Sequence, residues 1–460
     1  MSSPNKANLP KPFSQRMQFQ LENEFDTFSA VLDSVPPVSI HMHPIKGDID
    51  LFDSKSIRSV PWCKSGYYLE QRPVFTLDPA FHAGAYYVQE ASSMVIDYVL
   101  REILTSTDIK ILDLCAAPGG KSTLISSILN GNGLLVSNET ISSRTPALIH
   151  NLIKWGYANQ IVTCSDPERF KPLKNYFDLI LIDAPCSGEG LFRKDPESRK
   201  EWSENNVFQC VLRQKRILDA AQHTLKPGGY LIYSTCTYNP DENINQLSDL
   251  VLSGWECVQL DKLKEWYFTE IRENDSIGYQ AYPHKVEGEG FFISVLKKPT
   301  EVEKESPLQG NTLNWIQKPS ILETFLPTME AFDFFEHNQR IHFFSKEYTR
   351  DLEIVSHYLR IVGAGCATGE FKGNNFIPDH ALSQSVYLTP DLSQKQLSKS
   401  EAINYLKRVP PPNPGEERGY LISRYNNQNL GWLKGIQGRF NNLYPNEYRI
   451  KSHFANNTSN

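Results

Sequence analysis

Between residues 110 and 298, apolar runs of strand length alternate with helical stretches, and this alternation constrains the fold more than any other feature of the chain. IKILDLCA precedes GGKSTLISSILN, GLLVSNE precedes SSRTPALIHNLIKWG, and QIVTCSD follows. FDLILIDAPC then leads to a long helix near 204 to 224, and GGYLIYSTC leads to DENINQLSDLVLS. Strands apolar on both faces and separated by helices predict a parallel, doubly wound sheet with helices on both sides. In such a sheet of order 3-2-1-4-5 the fourth and fifth strands are neighbours, and ligands bind outside the carboxyl ends of the strands. WECVQL and GFFISVLKK have no helix between them and are expected to close the sheet as an antiparallel pair.

A chain of 460 residues is too long for one core, so two to four domains are expected. Residues 1–84 form an N-terminal extension, in which FSQRMQFQLENEFDTFSAVLDSV reads as one amphipathic helix ended by Pro36 and Pro37. The doubly wound core spans 85–298. Residues 299–385 are an intermediate domain or linker beginning with PTEVEKESPLQGNT, and 386–460 form a last unit with a break or exposed loop at PPPNPGEERG, 410 to 419. No apolar run approaches a membrane span, and the polar start MSSPNKANLPKPFSQRM lacks the apolar middle of a signal peptide, so the chain reads as soluble and cytoplasmic. Its eight cysteines are then expected reduced; they lie far apart with no CxxC pair, which argues against a zinc ribbon, a disulfide framework and any metal site. A net charge of −6 leaves only local basic patches to hold a polyanion.

The first predicted strand runs into DLCAAPGGKST, where Pro118, Gly119 and Gly120 let the backbone approach a ligand before Lys121 opens a helix. A phosphate-cradling P-loop would need glycine where Cys115 stands, so an ATP-binding protein is the weaker reading. The second strand ends in Glu139, 26 residues beyond Asp113, a place where a carboxylate suits two ribose hydroxyls. Adenosine with an unphosphorylated ribose is the leading ligand. Asp166, after the third strand, suits the exocyclic amine of an adenine or a helix cap.

Cys186, in DAPCSGEGLFRKDP, and Cys236, in YSTCTYNPDEN, end the fourth and fifth strands fifty positions apart and face one cleft beside Asp183. A single free cysteine is most often a small buried hydrophobe. Two at the mouth of one cleft, beside a carboxylate, point to chemistry.

DLCAAPGGKS, DAPCSGEGLFRKDP and YSTCTYNPDEN resemble the three signature motifs of the Nol/Nop/Sun RNA cytosine-5 methyltransferases. AGAYYVQEASSM, PHKVEGEGFFISVLKK and GWLKGIQGRFNNLYPNEYRI resemble more closely their bacterial RsmF branch, which methylates small-subunit ribosomal RNA. The likeness is strongest over 84–298 and thin over 299–385. It implies a Rossmann-like S-adenosylmethionine-dependent methyltransferase core, an N-terminal α/β RNA-binding extension and a C-terminal PUA-like β-rich RNA-binding domain. It further implies that S-adenosylmethionine is contacted by Cys115, Ala116, Ala117, Pro118, Gly119, Gly120, Lys121, Glu139, Asp166 and Asp183. By the same likeness Cys236 is the nucleophile and Cys186 serves release of the product, while Asp183, kept protonated in a closed site, can donate to N3 of the base. The partner is RNA, ribosomal RNA or the small subunit first and transfer RNA second; a monomer is expected.

DNA is a further substrate class, since DNA cytosine methyltransferases use a thiol that follows a proline, as Cys186 does; a silent RNA-binding scaffold would not need Asp183, Cys186 and Cys236 together. RNA capture is expected in the C-terminal region. There Arg424, Lys434, Arg439, Arg449 and Lys451 are interleaved with Tyr420, Tyr425, Trp432, Phe440, Tyr444 and Tyr448, a mixture suited to phosphate contact and base stacking or to the core of a small domain. SIHMHPIK at 39–46 departs from the family pattern, with His41 and His43 where arginine and asparagine are common. Lone histidines of this kind are ordinarily surface residues and receive no role here, so any RNA contact of the segment is expected to be weaker or pH-dependent.

Overall fold

The structure, a computed structural model, describes residues 8–301, 307–412, 415 and 417–451. Parts of the polar N-terminus, of the linker-like stretch at 299–312 and of the proline-rich stretch at 410–419 therefore lie outside the described residues. Five parallel strands, β1 (Lys110–Asp113), β2 (Leu134–Asn138), β3 (Gln160–Thr163), β4 (Phe177–Asp183) and β5 (Leu225–Thr235), stand in the order 3-2-1-4-5. The alternation of side chains explains why FDLILID is apolar throughout. Leu179 and Leu181 of β4 face one helical layer with Val99, Leu124 and Ile125, while Ile180 and Ile182 face the other with Ile217 and Leu218.

Beyond β5 the sheet turns antiparallel. A hairpin of β6 (Thr269–Glu273) and β7 (Ser276–Ala281) lies outside β8 (Phe291–Lys297), which pairs with β5. Glu256–Cys257 pairs with β8 as expected, Glu256 opposite Lys297, but the hairpin between them was not read from the sequence. At the other edge β9 (Ile361–Ala364) pairs antiparallel with β3, so a segment from beyond residue 298 completes the core sheet. The rest of that region holds a five-stranded sheet ordered Trp315–Ile316, Phe332–His337, Arg340–Ser345, Cys366–Lys372, Asn375–Pro378, with helices at Thr349–Tyr358 and His380–Gln384.

Two small sheets flank this body. The N-terminal one is antiparallel, in the order Ile57–Ser59, Gly66–Leu69, Val38–Met42, Tyr86–Val88. The C-terminal one runs Gln394–Gln396, Gly419–Tyr425, Gln428–Ile436, Arg439–Asn442. The expected single N-terminal helix is two, α1 (Lys11–Leu21) and α2 (Phe25–Leu32), broken by a turn at Glu22–Glu24. The break lets Phe13, Met17 and Leu21 of one and Phe28 and Leu32 of the other enter a single cluster with Phe192, Trp202, Tyr238 and Tyr282. The extension is thereby seated on the segments that follow β4 and β5.

One expectation is corrected, and one open alternative is decided. His41 and His43 are not surface residues: both are buried, against Trp155 at ring-centroid distances of 5.1 and 4.8 Å, so neither offers a contact to RNA. Backbone N–H groups of Ile45 and Lys46 both donate to His43 Nδ1, so the proton sits on Nε2, which donates to the Trp155 carbonyl at 2.9 Å and leaves the ring neutral. In the C-terminal region Trp432, Phe440 and Tyr444 are core, and Tyr448 stacks on His150 at 3.7 Å; these rings are occupied by packing rather than open to bases. Among the described residues no helix is long and apolar enough to cross a membrane.

Candidate active site

The site is built where β1, β2, β4 and β5 end. After β1 the chain turns at Gly119, whose φ of 112° a side-chain-bearing residue rarely adopts, and helix α3 (Gly120–Leu129) begins. The loop lines a cavity of about 160 Å³ with Cys115, Ala116, Ala117, Pro118, Lys121 and Asp183, and Gly120 and Tyr87 close it. Asp113, at the end of β1, is fully buried. Ser122 Oγ donates to its Oδ2 at 2.6 Å, its Oδ1 has no partner, and burial pushes the carboxyl up to about 7. Lys121 Nζ donates to Asp183 Oδ2 at 2.6 Å, and Ser234 Oγ donates to Oδ1 at 2.9 Å. Burial works to lower the Lys121 ammonium, but Asp183 outweighs it and the net shift is upward. With both oxygens accepting, Asp183 is arranged as an acceptor here, unlike the protonated donor expected from the sequence.

Glu139 is buried behind the loop rather than in the cavity wall. Its Oε1 accepts from Ile141 N at 2.8 Å, and its Oε2 meets Arg144 at 3.0 Å. Arg144 in turn donates to the Ala117 carbonyl at 2.7 Å. Gly119 packs under Leu148 of α4 (Thr145–Trp155). Asp166 stands outside this group, capping Pro167–Phe170 and paired with Arg216 at 2.8 Å.

The two thiols meet. Cys186 Sγ and Cys236 Sγ are 3.1 Å apart, and Cys236 N lies 3.3 Å from Cys186 Sγ. The hydrogen bond with Cys236 and burial together push the Cys186 thiol well above its ordinary value. Gly190 is required beside them, since a Cβ there would lie 2.8 Å from the Cys236 carbonyl oxygen and 2.5 Å from that of Gly290.

Sequence reading missed the groups that hold this pair. Glu242, fully buried, accepts from Ser187 N at 2.7 Å and Ser187 Oγ at 2.6 Å, and from Thr237 Oγ1 at 3.0 Å. It thus ties together the residues that follow each cysteine. Burial raises its carboxyl against the lowering effect of the Ser187 bonds. Glu189 does a similar task from the other side, accepting from Arg16 at 2.6 Å, Trp202 Nε1 at 3.0 Å and Tyr238 N at 3.2 Å, which pins α1 to the segment after Cys236. The available signal was local: acids three and six residues beyond the two cysteines, inside the same quoted stretches. No group of three metal-ligating side chains occurs among the described residues.

Comparison with known proteins gives this geometry its setting. Three family descriptions match successive parts of the chain: the N-terminal domain of 16S rRNA methyltransferase RsmF over 9–91, 16S rRNA methyltransferase RsmB/F over 103–297, and the methyltransferase RsmF PUA domain over 394–450. The chain is 31% identical to ribosomal RNA small subunit methyltransferase F of Shewanella woodyi over 437 residues, 90% of each protein. It is 28% identical to that of Erwinia tasmaniensis over 477 aligned positions, 97% of this chain and 98% of that one. Among solved structures, a methyltransferase homolog protein from Pyrococcus horikoshii is similar with TM-score 0.53 and 27% identity, covering 63% of this chain and 95% of that one. NSun6 from the same organism, solved with SFG, shares the fold with TM-score 0.54 and 20% identity, covering 64% of this chain and 99% of that one. The chain belongs to the ribosomal RNA small subunit methyltransferase F family, S-adenosylmethionine-dependent methyltransferases of ribosomal RNA.

Proposed function

We propose that the chain methylates C5 of a cytidine in small-subunit ribosomal RNA, through a covalent bond between Cys236 Sγ and C6 of the base. The observation that carries this reading is the pair of thiols 3.1 Å apart at the ends of adjacent strands, beside Asp183 and the loop cavity. C5 of cytosine is a poor nucleophile. A thiolate adding to C6 makes C5 enamine-like, and once the methyl group is in place a base must take the C5 proton so that the thiolate leaves by elimination. S-adenosylmethionine supplies the electrophilic methyl group.

Cys236 is the attacking thiol in this scheme, and Cys186 serves release. The hydrogen bond with Cys236 and burial keep Cys186 in its thiol form at rest, so in this scheme it first gives its own proton to solvent, and the thiolate so formed is a strong base that takes the C5 proton. Asp183 is assigned to the N3 edge of the base. Because it accepts from Lys121, the proton that stabilises the adduct at N3 would reach it from that ammonium.

The donor set suits the cofactor, and the cavity of about 160 Å³, smaller than an ordinary small-ligand site, would have to widen to take it. The loop from Cys115 to Lys121 lines the cavity together with Tyr87, Glu90 and Asp183, whose polar groups face it. Glu139, which stands behind the loop, is assigned to the ribose hydroxyls, for which it would exchange its bonds to Ile141 N and Arg144. Asp166 is the outermost assignment, since reaching an adenine amine would compete with its bond to Arg216. A monomer acting in the cytoplasm, with the N-terminal extension at 1–84 and the C-terminal unit at 386–460 both contributing to RNA capture, completes the proposal. Bisulfite sequencing of ribosomal and transfer RNA from a strain lacking the gene tests it: one 16S cytidine should lose its methyl group. A loss confined to transfer RNA would redirect the substrate, and no loss in any RNA would end the reading.

A further inference from the structure

Away from the thiols, a polar cleft of about 360 Å³ opens where the loop after strand Val38–Met42 meets the turn between the C-terminal strands Gly419–Tyr425 and Gln428–Ile436. Its volume is that of a small-ligand site. Two cations border it, and among the described residues neither has a carboxylate partner. Arg424 donates to Gln394 Oε1 at 2.6 Å and to the Asn427 carbonyl, while its Nε is buried with no acceptor. Lys46 Nζ donates only to the carbonyls of Lys154 and Gln384. Burial lowers both groups, Lys46 to about 7, which is the sign of cations held without an anion.

The cleft also carries an unused acceptor. Gln428 Nε2 donates to the Lys46 carbonyl at 3.0 Å, and its Oε1 is buried without a partner. Asn426, Asn427 and Asn429 add amide groups to the wall, no aromatic ring lines it, and its one acid, Asp48, is already engaged by Asp50 N. A guanidinium bonded only to neutral acceptors matches a phosphate oxygen, and amides that both donate and accept match the edge of a nucleobase. Too small for a duplex, the cleft suits a single unstacked residue.

The cleft borders the C-terminal end of α4, where Val386 N donates to the Gly156 carbonyl. The opposite end of that helix follows Arg144, which holds Ala117 of the loop cavity, and eleven helical residues rise about 16 Å. A nucleotide held here is therefore separate from one held at Cys236.

We propose that this cleft binds one unpaired ribonucleotide of the substrate RNA other than the nucleotide that is methylated, its phosphate on Arg424 and its base edge on Gln428 and the neighbouring asparagines. This rests on the reading of the chain as an RNA methyltransferase and adds a second anchor point to it. The full chain is tested with Thr389→Trp, which fills the cleft from its wall, and with Arg424→Gln. Binding of naked small-subunit ribosomal RNA across a salt series, methyl transfer, and S-adenosylhomocysteine binding are measured for each.

Both variants should raise the RNA dissociation constant and KM about tenfold, the effect of losing a hydrogen bond to a charged group. Cofactor affinity and kcat at saturating RNA should stay at wild-type values. Arg424→Gln should also flatten the slope of log affinity against log salt by about 0.7–0.9, one phosphate contact. Wild-type RNA affinity in Thr389→Trp, with cofactor binding intact, would overturn the proposal. So would millimolar cytidine monophosphate binding that Thr389→Trp abolishes while RNA affinity is untouched, because the cleft would then serve a free nucleotide. If both variants weakened RNA binding as expected but the wild-type chain transferred no methyl group, the cleft would stand and the enzymatic reading would fail.

Discussion

Where β2, β4 and β5 end, three acids have polar partners: Asp183 holds Lys121 and Ser234, Glu139 holds Arg144, and Glu242 holds Ser187 and Thr237. At the seam between the N-terminal sheet, α4 and the C-terminal module the buried groups are bases, and they are met by carbonyls and rings instead of acids. His43 faces the Trp155 carbonyl, His82 the Thr76 carbonyl, His150 the Tyr448 ring, and Lys154 lies 4.3 Å from the centre of the Phe81 ring. The first arrangement fixes charges in place for use. The second keeps its histidines neutral for packing, so it should respond to acid while the first should respond to substitution.

The largest expected effect lies in the first region. Cys236→Ala should abolish methyl transfer while cofactor and RNA binding persist, measured with radiolabelled S-adenosylmethionine, because no thiolate remains to activate the base. Residual transfer at more than a trace would return the role of nucleophile to Cys186.

Glu242→Gln comes next. The amide keeps one acceptor but cannot serve Ser187 N, Ser187 Oγ and Thr237 Oγ1 together, so the two thiols should lose their register. A drop in kcat of about a hundredfold is expected, the scale of an ångström-level misplacement, with KM for RNA little changed. If KM rose instead, the acid would be acting on RNA binding and not on the cysteines.

How much of this was legible depended on distance along the chain. The order of β1 to β5 followed from alternating runs, and the glycine turn after β1 and the meeting of both thiols followed from strand ends, because each signal lies within about a dozen residues. β9 was invisible for the opposite reason: Ile361–Ala364 pairs with Gln160–Thr163 across some two hundred positions, and no local pattern announces the partner. The aromatic hairpin Phe332–Ser345 turns on Asn338 and Gln339, both with positive φ, a two-residue turn whose second position lacks the usual glycine. The seam was missed because its members, His41, His43, Lys46, His82, His150, Lys154 and His380, come from four separate segments, and each alone reads as a surface residue.

The seam gives the third prediction. Burial lowers His41 and His380 to about 3, His82 to about 4, His150 to about 2, and His43 in the same direction. The unfolded chain binds protons at these sites below pH 6.5 and the folded chain does not, so stability is lost as pH falls from 6.5 toward 4, by about 1.4 kcal/mol per pH unit for each fully responding histidine. Asp113 and Glu289, raised by burial to about 7 and about 8, and Glu242 and Asp379, raised in the same direction, act in the opposite sense, since the folded chain holds their protons first, but they are four against seven once His284 and His342, also lowered by burial, are counted. Thermal unfolding between pH 7.5 and 5 should show Tm falling on the acid side. A variant with His82→Gln and His150→Gln should fall less steeply, and an unchanged slope would mean that these rings are charged in the fold.

The smallest effect is expected at Glu139. Glu139→Ala should weaken S-adenosylmethionine binding by about 1–3 kcal/mol, through loss of charge-assisted bonds to the ribose, and leave RNA affinity unchanged. Calorimetry that found the cofactor constant unaltered would confine Glu139 to holding Arg144.

The division of labour between the thiols is tested most directly by Cys186→Ala incubated with S-adenosylmethionine and small-subunit ribosomal RNA and then run on a denaturing gel. With attack by Cys236 intact and release impaired, a covalent protein–RNA band should accumulate and should vanish when Cys236→Ala is added to the same chain. A band that forms in Cys236→Ala alone, or none in Cys186→Ala while methyl transfer continues at the wild-type rate, would contradict the account.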